Sequence, residues 1–554
     1  MLRKGSMVVS TLCTVALLIT AVPRDGHAAG FAQRAQEVLT FYAENPSMFS
    51  RTDDVTGYAK SGIYHAMAHY ATGDIAGGNE ITTHIFNNVG GGSMFLVMAG
   101  MDCYLRYKQH MPDALKSRIR SFVTGYGEYP FGSTENHHLM SGTGGYLASE
   151  EWPDWSKAST VKSACREHLH GFIDKLAKKG IAEYDSPTYL AFDINCMLSL
   201  YDHARDPQMK QRAQIGLEIL LADMAGEWVG GSWASSTLRT HQFCHDATDG
   251  TITGLTGYVY FGGVRMPVQS DGAGVMNAVS TYRLPAVIER MATDRSQPVT
   301  HLETHMAWHG ARKTTYLDRT YGVFSQYDGN GSLFWSDQMH RAGVVWTSTI
   351  VGAKFIVKHP KSGIVGETAT NQVMQHEGVL VGVAKESMTG YVPQSGTVLE
   401  QREQDGWLFL DGGTVYIAFT SAGGYTWGGT VTVDGVNPRY LIWDHSNWET
   451  VYRTFTLGGG TNKGWVIQTA NPLDYAGFDA FVNNVLTGGS ADISGVGNSN
   501  PTMKYTTIDG DRLQITFDGS GGGGGTDRRL VNGTPLDYAN WPRMHNPWVH
   551  ADLY

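Results

Sequence analysis

Cysteine is scarce in this chain of 554 residues, with only five. No two of them stand as C-x-x-C, which removes the usual zinc-ribbon and redox-motif readings. Cys13 belongs to a leader segment. Cys103, Cys165, Cys196 and Cys244 are widely spaced, so one or two disulfides and buried free thiols both fit them. Excess basic charge is also missing. Lys and Arg number 42 against 52 Asp and Glu, for a formal net charge of −10 and a pI near 6.1. The chain therefore lacks the global positive field of nucleic-acid binders, although a local basic cleft for an anionic substrate remains compatible with it. Beyond the leader no apolar run is long enough to span a bilayer, so the mature chain is expected to be soluble, with no membrane partner. There is no internal repeat. The tract GSGGGGG, residues 519–525, lacks the strand, lysine and helix that would make it a phosphate loop.

At the N-terminus, Arg3 and Lys4 precede an apolar run from Met7 to Val22, and small residues follow at Ala28 and Ala29. This order is that of a secretory signal over residues 1–29, and it places the mature protein outside the cytoplasm, secreted or periplasmic. The remaining length suits two domains, each with its own core. From residue 30 to about 295 the apolar period is helical. Val161, Ala164, Cys165, Leu169, Phe172, Ile173 and Leu176 fall on one face, and Asp206-Pro207 and Ser186-Pro187 read as helix starts. Several such helices joined by short turns predict helical hairpins packed around a common axis. From about 300 to 554 the period is two. TVYIAFT (residues 414–420) and RLQITF (residues 512–517) alternate, and Asp-Gly pairs recur at Asp405, Asp411, Asp434, Asp509 and Asp518. The expected fold is thus α+β: a helical domain followed by antiparallel sheets, with the change of period between residues 290 and 315.

Three polar clusters stand in the loops of the helical half. TENHHLM (residues 134–140) sets Glu135, Asn136, His137 and His138 at a helix start, where Ser133 or Thr134 would serve equally as a plain cap. EYDSPTY (residues 183–189) carries Glu183, Tyr184, Asp185 and Tyr189, and LRTHQ (residues 238–242) carries Arg239 and His241. An amide, an imidazole, a phenol and a guanidinium together suit β-elimination in a uronic-acid polysaccharide. The C5 proton is weakly acidic until the neighbouring carboxylate is neutralised, a task for an amide and a cation. A base then takes that proton and an acid protonates the departing O4, roles open to His and Tyr. The reaction needs no metal and no organic cofactor. The 14 Trp and 27 Tyr include rings such as Trp152, Trp155, Trp228 and Trp233 beside the clusters, available for sugar stacking or for core packing. In the second half, residues 326–343 bring Tyr327, Trp335, His340 and Arg341 as groups that would close a cleft from the sheet side.

Adjacent Asn-His in one helical loop, a Tyr some fifty residues later and an Arg beyond it, on helices followed by sheets, resemble the toroid-fold polysaccharide lyases: the alginate, chondroitin, hyaluronan and heparin-type lyases. The resemblance implies an (α/α) toroid with a C-terminal β-sandwich and an acidic polysaccharide as partner. It implies that Asn136 neutralises the substrate carboxylate, that His137 or His138 is the base, and that Tyr189 is the acid or serves both roles. Arg239 would bind the carboxylate or tune Tyr189, while Glu135, Glu183, Trp233, His241 and Tyr327 would line the sugar site. Two His residues follow the Asn, which leaves the base undecided. Three further readings stand beside this one. Glu135 with Glu183 or Asp185 would supply the carboxylate pair of an inverting glycoside hydrolase. His241, His245 and Asp246 have the spacing of a metal site. A glycan-binding protein without catalysis would keep the same scaffold.

Overall fold

The computed structural model describes residues 30–45, 62–89, 93–237, 252–267, 272–305, 311–328, 342–350, 352–358, 371–394, 396–434, 449–517 and 528–548. Their architecture is α+β and multidomain, with 13 α-helices and several antiparallel sheets among the described residues. The helical part comprises α1 (Phe31–Glu44), α2 (Ile63–Ala71), α3 (Ile75–Asn88), α4 (Met94–Tyr107), α5 (Asp113–Thr124) and α6 (Glu135–Glu151). It continues with α7 (Ala158–Lys179), α8 (Leu190–His203), α9 (Pro207–Gly226), α10 (Ile252–Phe261), α11 (Val275–Val279) and α12 (Ala286–Thr293). A helix apolar all round belongs in an interior and one with a single apolar stripe belongs outside. Helices α2, α4, α6, α8 and α10 are buried on nearly every side, whereas α5 buries only Leu115, Ile119 and Val123. Consecutive helices pair, α2 with α3, α4 with α5, α6 with α7 and α8 with α9, while α4, α6 and α8 pack on one another.

The periodicity read from the sequence reappears in detail. Helix α7 buries Val161, Cys165, Leu169, Phe172, Ile173 and Leu176 as one stripe, and truncating Leu169 to Ala would cost about 2–5 kcal/mol. Asp206 caps α9 by accepting from the Gln208 N–H, with Pro207 at the first helical position. The Ser186-Pro187 start is displaced. Ser186 Oγ takes the Tyr189 N–H at 3.0 Å, which holds the intervening residues as a turn, and α8 begins only at Leu190. Cys103, Cys165 and Cys196 are buried free thiols, and Cys244 lies outside the described residues. No helix among the described residues is long and apolar enough to cross a membrane.

The last helix of this part ends at Thr293, and the first strand of the large sheet begins at Val299. A short hairpin, β1 (Trp228–Val229) and β2 (Ser232–Trp233), follows α9. The nine-stranded sheet has β3 (Val299–His305), β4 (Ala311–Leu317) and β5 (Tyr321–Asp328) as antiparallel neighbours, with Met544–His545 on the outer edge of β3. One face of this sheet packs on a six-stranded sheet through Trp346, Phe355, Phe419, Phe455 and Trp465, a sandwich core. Its other face meets the helical side through Val229, Ala234, Leu317 and Phe324. A five-stranded sheet and α13 (Phe478–Gly488) cover the far face of the six-stranded sheet. The Asp-Gly expectation holds at Asp405-Gly406. Both residues have positive φ, 49° and 81°, as the two-residue turn between Glu400–Gln404 and Trp407–Asp411 requires.

Candidate functional site

The start of α6 is built by the turn before it. Ser141 Oγ accepts the Phe131 N–H at 2.8 Å and donates to the Phe131 carbonyl at 2.6 Å, folding residues 131–134 back on the helix. Gly132 passes so close that a Cβ there would stand 2.5 Å from the Cβ of His137. Thr134 occupies the N-cap but does not cap in the usual way: its hydroxyl donates to Asn136 Oδ1 at 3.1 Å. That bond fixes the amide, and Asn136 Nδ2 then donates to Glu183 Oε2 at 2.8 Å. Both partners are buried, at 2% and 1% exposure, so two of the three clusters read from the sequence meet in one interior hydrogen bond.

The two histidines diverge. His137 lies edge-on to Phe95 of α4, ring centroids 5.8 Å apart, and Phe95 in turn meets Phe192 of α8. His137 is therefore turned toward the inner helices, with Nδ1 at 3.3 Å from Ser133 Oγ. His138 is turned toward His168 on α7, and its Nδ1 stands 3.0 Å from the Thr134 carbonyl. A carbonyl only accepts, so Nδ1 of His138 carries a hydrogen. Burial lowers the pKa of His168, helped by the charges of His138 and Lys175.

The loop between α7 and α8 brings the second cluster. Glu135 ties it down: its Oε1 accepts from Lys175 at 2.9 Å and its Oε2 from the Ala182 N–H at 2.6 Å. Asp185 holds a left-handed φ of 46°, a strained conformation for a non-glycine residue. Tyr189 caps α8 and is partly buried against the helical core. One turn on, Asp193 donates its N–H to the Tyr189 carbonyl, and burial, with the charges of Glu135 and Glu183, pushes its pKa well above the usual carboxyl value.

From the sheet side comes a group of charges that the sequence reading missed. Glu303, Lys313 and Gln326 are directly opposite one another across β3, β4 and β5. Lys313 Nζ contacts Asp185 and Glu303 and lies 2.6 Å from Glu227 Oε1, with all four side chains buried. Tyr184 donates to Gln326 Oε1 at 2.8 Å, and its ring stacks on His305. The signal was legible in part. In THLETH the polar residues His301, Glu303 and His305 alternate, and it is this face that is buried, with Leu302 more exposed. The ordinary rule of apolar-inward strands hid it.

Several expected sugar contacts are corrected. Trp233 is 1% exposed and its indole N–H donates to Glu227 Oε2, so no ring face is offered to a ligand. Trp152 and Trp228 are likewise core residues. Tyr327 stacks on Tyr538 at 4.0 Å on the face opposite Gln326, because successive strand residues alternate; Gln326 is the residue that meets the helices. Glu183 and Asp185 are buried and Glu135 is half-buried, and all three are engaged in hydrogen bonds within the protein. Arg239, His241, His245, Asp246, Trp335, His340 and Arg341 lie outside the described residues.

No protein-family model matches the chain, and neither does any curated protein. Solved structures do align with it. Heparinase III aligns at 9% identity, 82% of each chain and a TM-score of 0.46. A chondroitinase AC lyase aligns at 10% identity, 88% of each chain and a TM-score of 0.47. The heparan sulfate lyase HepC from Pedobacter heparinus aligns at 11% identity over 92% of this chain and 94% of that one, with a TM-score of 0.42.

Proposed function

We propose that the protein is a polysaccharide lyase that cleaves a uronic-acid-containing polysaccharide by β-elimination, leaving a 4,5-unsaturated uronate at the new non-reducing end. The observation that carries this reading is the buried Asn136–Glu183 hydrogen bond, which joins the Asn-His pair to the loop that ends in Tyr189. An amide nitrogen carries two hydrogens. Glu183 takes one, and the reading assigns the other to the substrate carboxylate, where it offsets charge as the C5 proton leaves. His137 is the assigned base, since it is turned toward the inner helices whereas His138 is turned to α7. Tyr189 is the assigned acid for O4, with Arg239 stabilising its phenolate or holding the carboxylate. The scaffold belongs to the same proposal: residues 30–295 as an (α/α) toroid, residues 300–554 as the sheet domain, and residues 1–29 as a signal directing secretion or periplasmic export.

Hydrolysis is the weaker alternative. It needs two carboxylates facing the sugar, and Glu183 and Asp185 are buried and bonded within the protein, while the half-buried Glu135 is bonded to Lys175 and the Ala182 N–H. The test is a panel of uronate polymers followed by ultraviolet absorbance. A lyase creates a C4–C5 double bond conjugated to the carboxylate, and absorbance rises with chain cleavage. New reducing ends without absorbance on the responding polymer would overturn the reading in favour of a hydrolase, and neither signal would leave a binding protein.

A further inference from the structure

Beneath the loop of Glu183 to Tyr189 lies a second constellation that the proposed elimination does not use. Asp185, Asp223, Glu303 and His305 are all buried, and one ligand atom from each falls within 4.8 Å of the others. His305 is 2% exposed, and among the described residues neither of its ring nitrogens has a hydrogen-bond partner. Its Nε2 stands 3.5 Å from Asp223 Oδ2 and 3.4 Å from Glu303 Oε2. These separations are long for hydrogen bonds, yet they match the edge of a tetrahedron, about 3.4 Å, around a zinc ion with ligands at about 2.1 Å.

The carboxylates divide their oxygens in the same sense. Asp185 gives Oδ2 to Lys313 and Ser235 and leaves Oδ1 unpartnered; Glu303 gives Oε1 to Lys313 and leaves Oε2 unpartnered; Asp223 Oδ1 is unpartnered too. Lys313 therefore accounts for one side of the cluster only. Four buried carboxylates, counting Glu227, gather here and three of them, Asp185, Glu227 and Glu303, share this one ammonium, with the Arg543 guanidinium as a further positive charge acting on Asp223 and Lys313. A divalent ion brings the cluster to neutrality, whereas isolated buried carboxylates are costly. Gly180, at φ 71°, ends α7 against His305, where a Cβ would lie 2.4 Å from Nδ1, so the imidazole is seated through the absence of a side chain.

We infer that Asp185, Asp223, Glu303 and His305 form a structural site for a divalent transition-metal ion of the zinc class, which clamps the α7–α8 loop and the end of α9 to the first strand of the large sheet. One imidazole with three carboxylates, two of them at the tetrahedral separation from it, suits zinc better than calcium, which takes more oxygens at longer distances. The inference is independent of the lyase reading, and its test measures binding rather than turnover. The full-length protein is stripped with a chelator and titrated by calorimetry with Zn2+, Mn2+ and Ca2+, each alone. One equivalent of Zn2+ is expected, bound more tightly than Mn2+ or Ca2+, with a raised Tm. His305→Gln and Asp223→Asn should each weaken Zn2+ binding at least about tenfold, while His241→Ala and His245→Ala leave it unchanged. X-ray absorption at the zinc edge of the wild type should report one nitrogen and three oxygen ligands, a readout that stands even if a variant fails to fold. The inference is overturned by no saturable Zn2+ binding, by preference for Mn2+ or Ca2+, by two or more imidazoles at the edge, or by wild-type binding in folded His305→Gln. Loss of binding in His241→Ala would overturn it equally.

Discussion

Asn136 Nδ2 donates to Glu183 Oε2 at 2.8 Å inside the protein, across 47 residues of chain, and this bond, together with that from Thr134, sets the direction of the amide beside His137. Glu183→Ala should leave the helices intact but free that amide, lowering kcat by roughly tenfold to a hundredfold through lost positioning. Glu183→Gln, which keeps an acceptor, should recover most of the loss. Asn136→Ala should cost more, about 2.7–4 kcal/mol of barrier, if it removes a donor to developing charge. Steady-state kinetics on the responding polymer compares the three; equal rates in Asn136→Ala and wild type would take Asn136 out of the chemistry.

The two imidazoles face different neighbours, so they should not behave alike. His137→Ala is expected to lower kcat by roughly 10²–10⁴ through loss of a general base. His138→Ala should change kcat by less than about tenfold, since its ring is turned to His168 on α7 and is held by a backbone carbonyl. The opposite ranking would reassign the base.

Tyr189 immediately precedes α8 and packs its ring against the core, so removal of its hydroxyl alone should spare the fold. Tyr189→Phe is expected to abolish new ultraviolet absorbance while polymer binding, measured by calorimetry, stays near wild type. Normal turnover in this variant would exclude the phenol from catalysis.

Asp193 gives a prediction about pH. Burial, then the charges of Glu135 and Glu183, raise its folded pKa well above the model-compound value. The folded state thus binds the proton more tightly than the unfolded chain does. That contribution to stability is complete below the unfolded pKa, about 3.9, and is lost as pH rises through the folded value. Asp193→Asn, which mimics the neutral acid, should flatten this part of the profile and hold its Tm relative to wild type as pH rises. Parallel Tm curves from pH 4 to 9 would show that Asp193 does not titrate in that manner.

Much of this was legible in the residues, and the losses have identifiable causes. The stripe from Val161 to Leu176 and the cap at Asp206 read directly because local periodicity and capping chemistry are short-range. Trp233 and Tyr327 misled because a Trp or Tyr beside polar residues has the same appearance whether it faces solvent or a core; only the strand register and the partner Glu227 decide. Lys313, Glu303 and Gln326 were missed because their meaning lies in cross-strand neighbours, which a single sequence does not display. Which way His137 and His138 each turn also needed the third dimension, since residues one apart on a helix point some 100° away from each other.

The inverted polarity of β3 bears on how the chain can be taken apart. Where most modules of a multidomain protein meet through surfaces that tolerate separation, here Lys313 of the sheet contacts Asp185 and Glu227 of the helical part. A cut between Thr293 and Val299 would leave Asp185 and Glu227 on one fragment and the Lys313 that contacts them on the other. Neither half is a portable unit, and insertion or fusion at that junction must preserve the docking of both pieces.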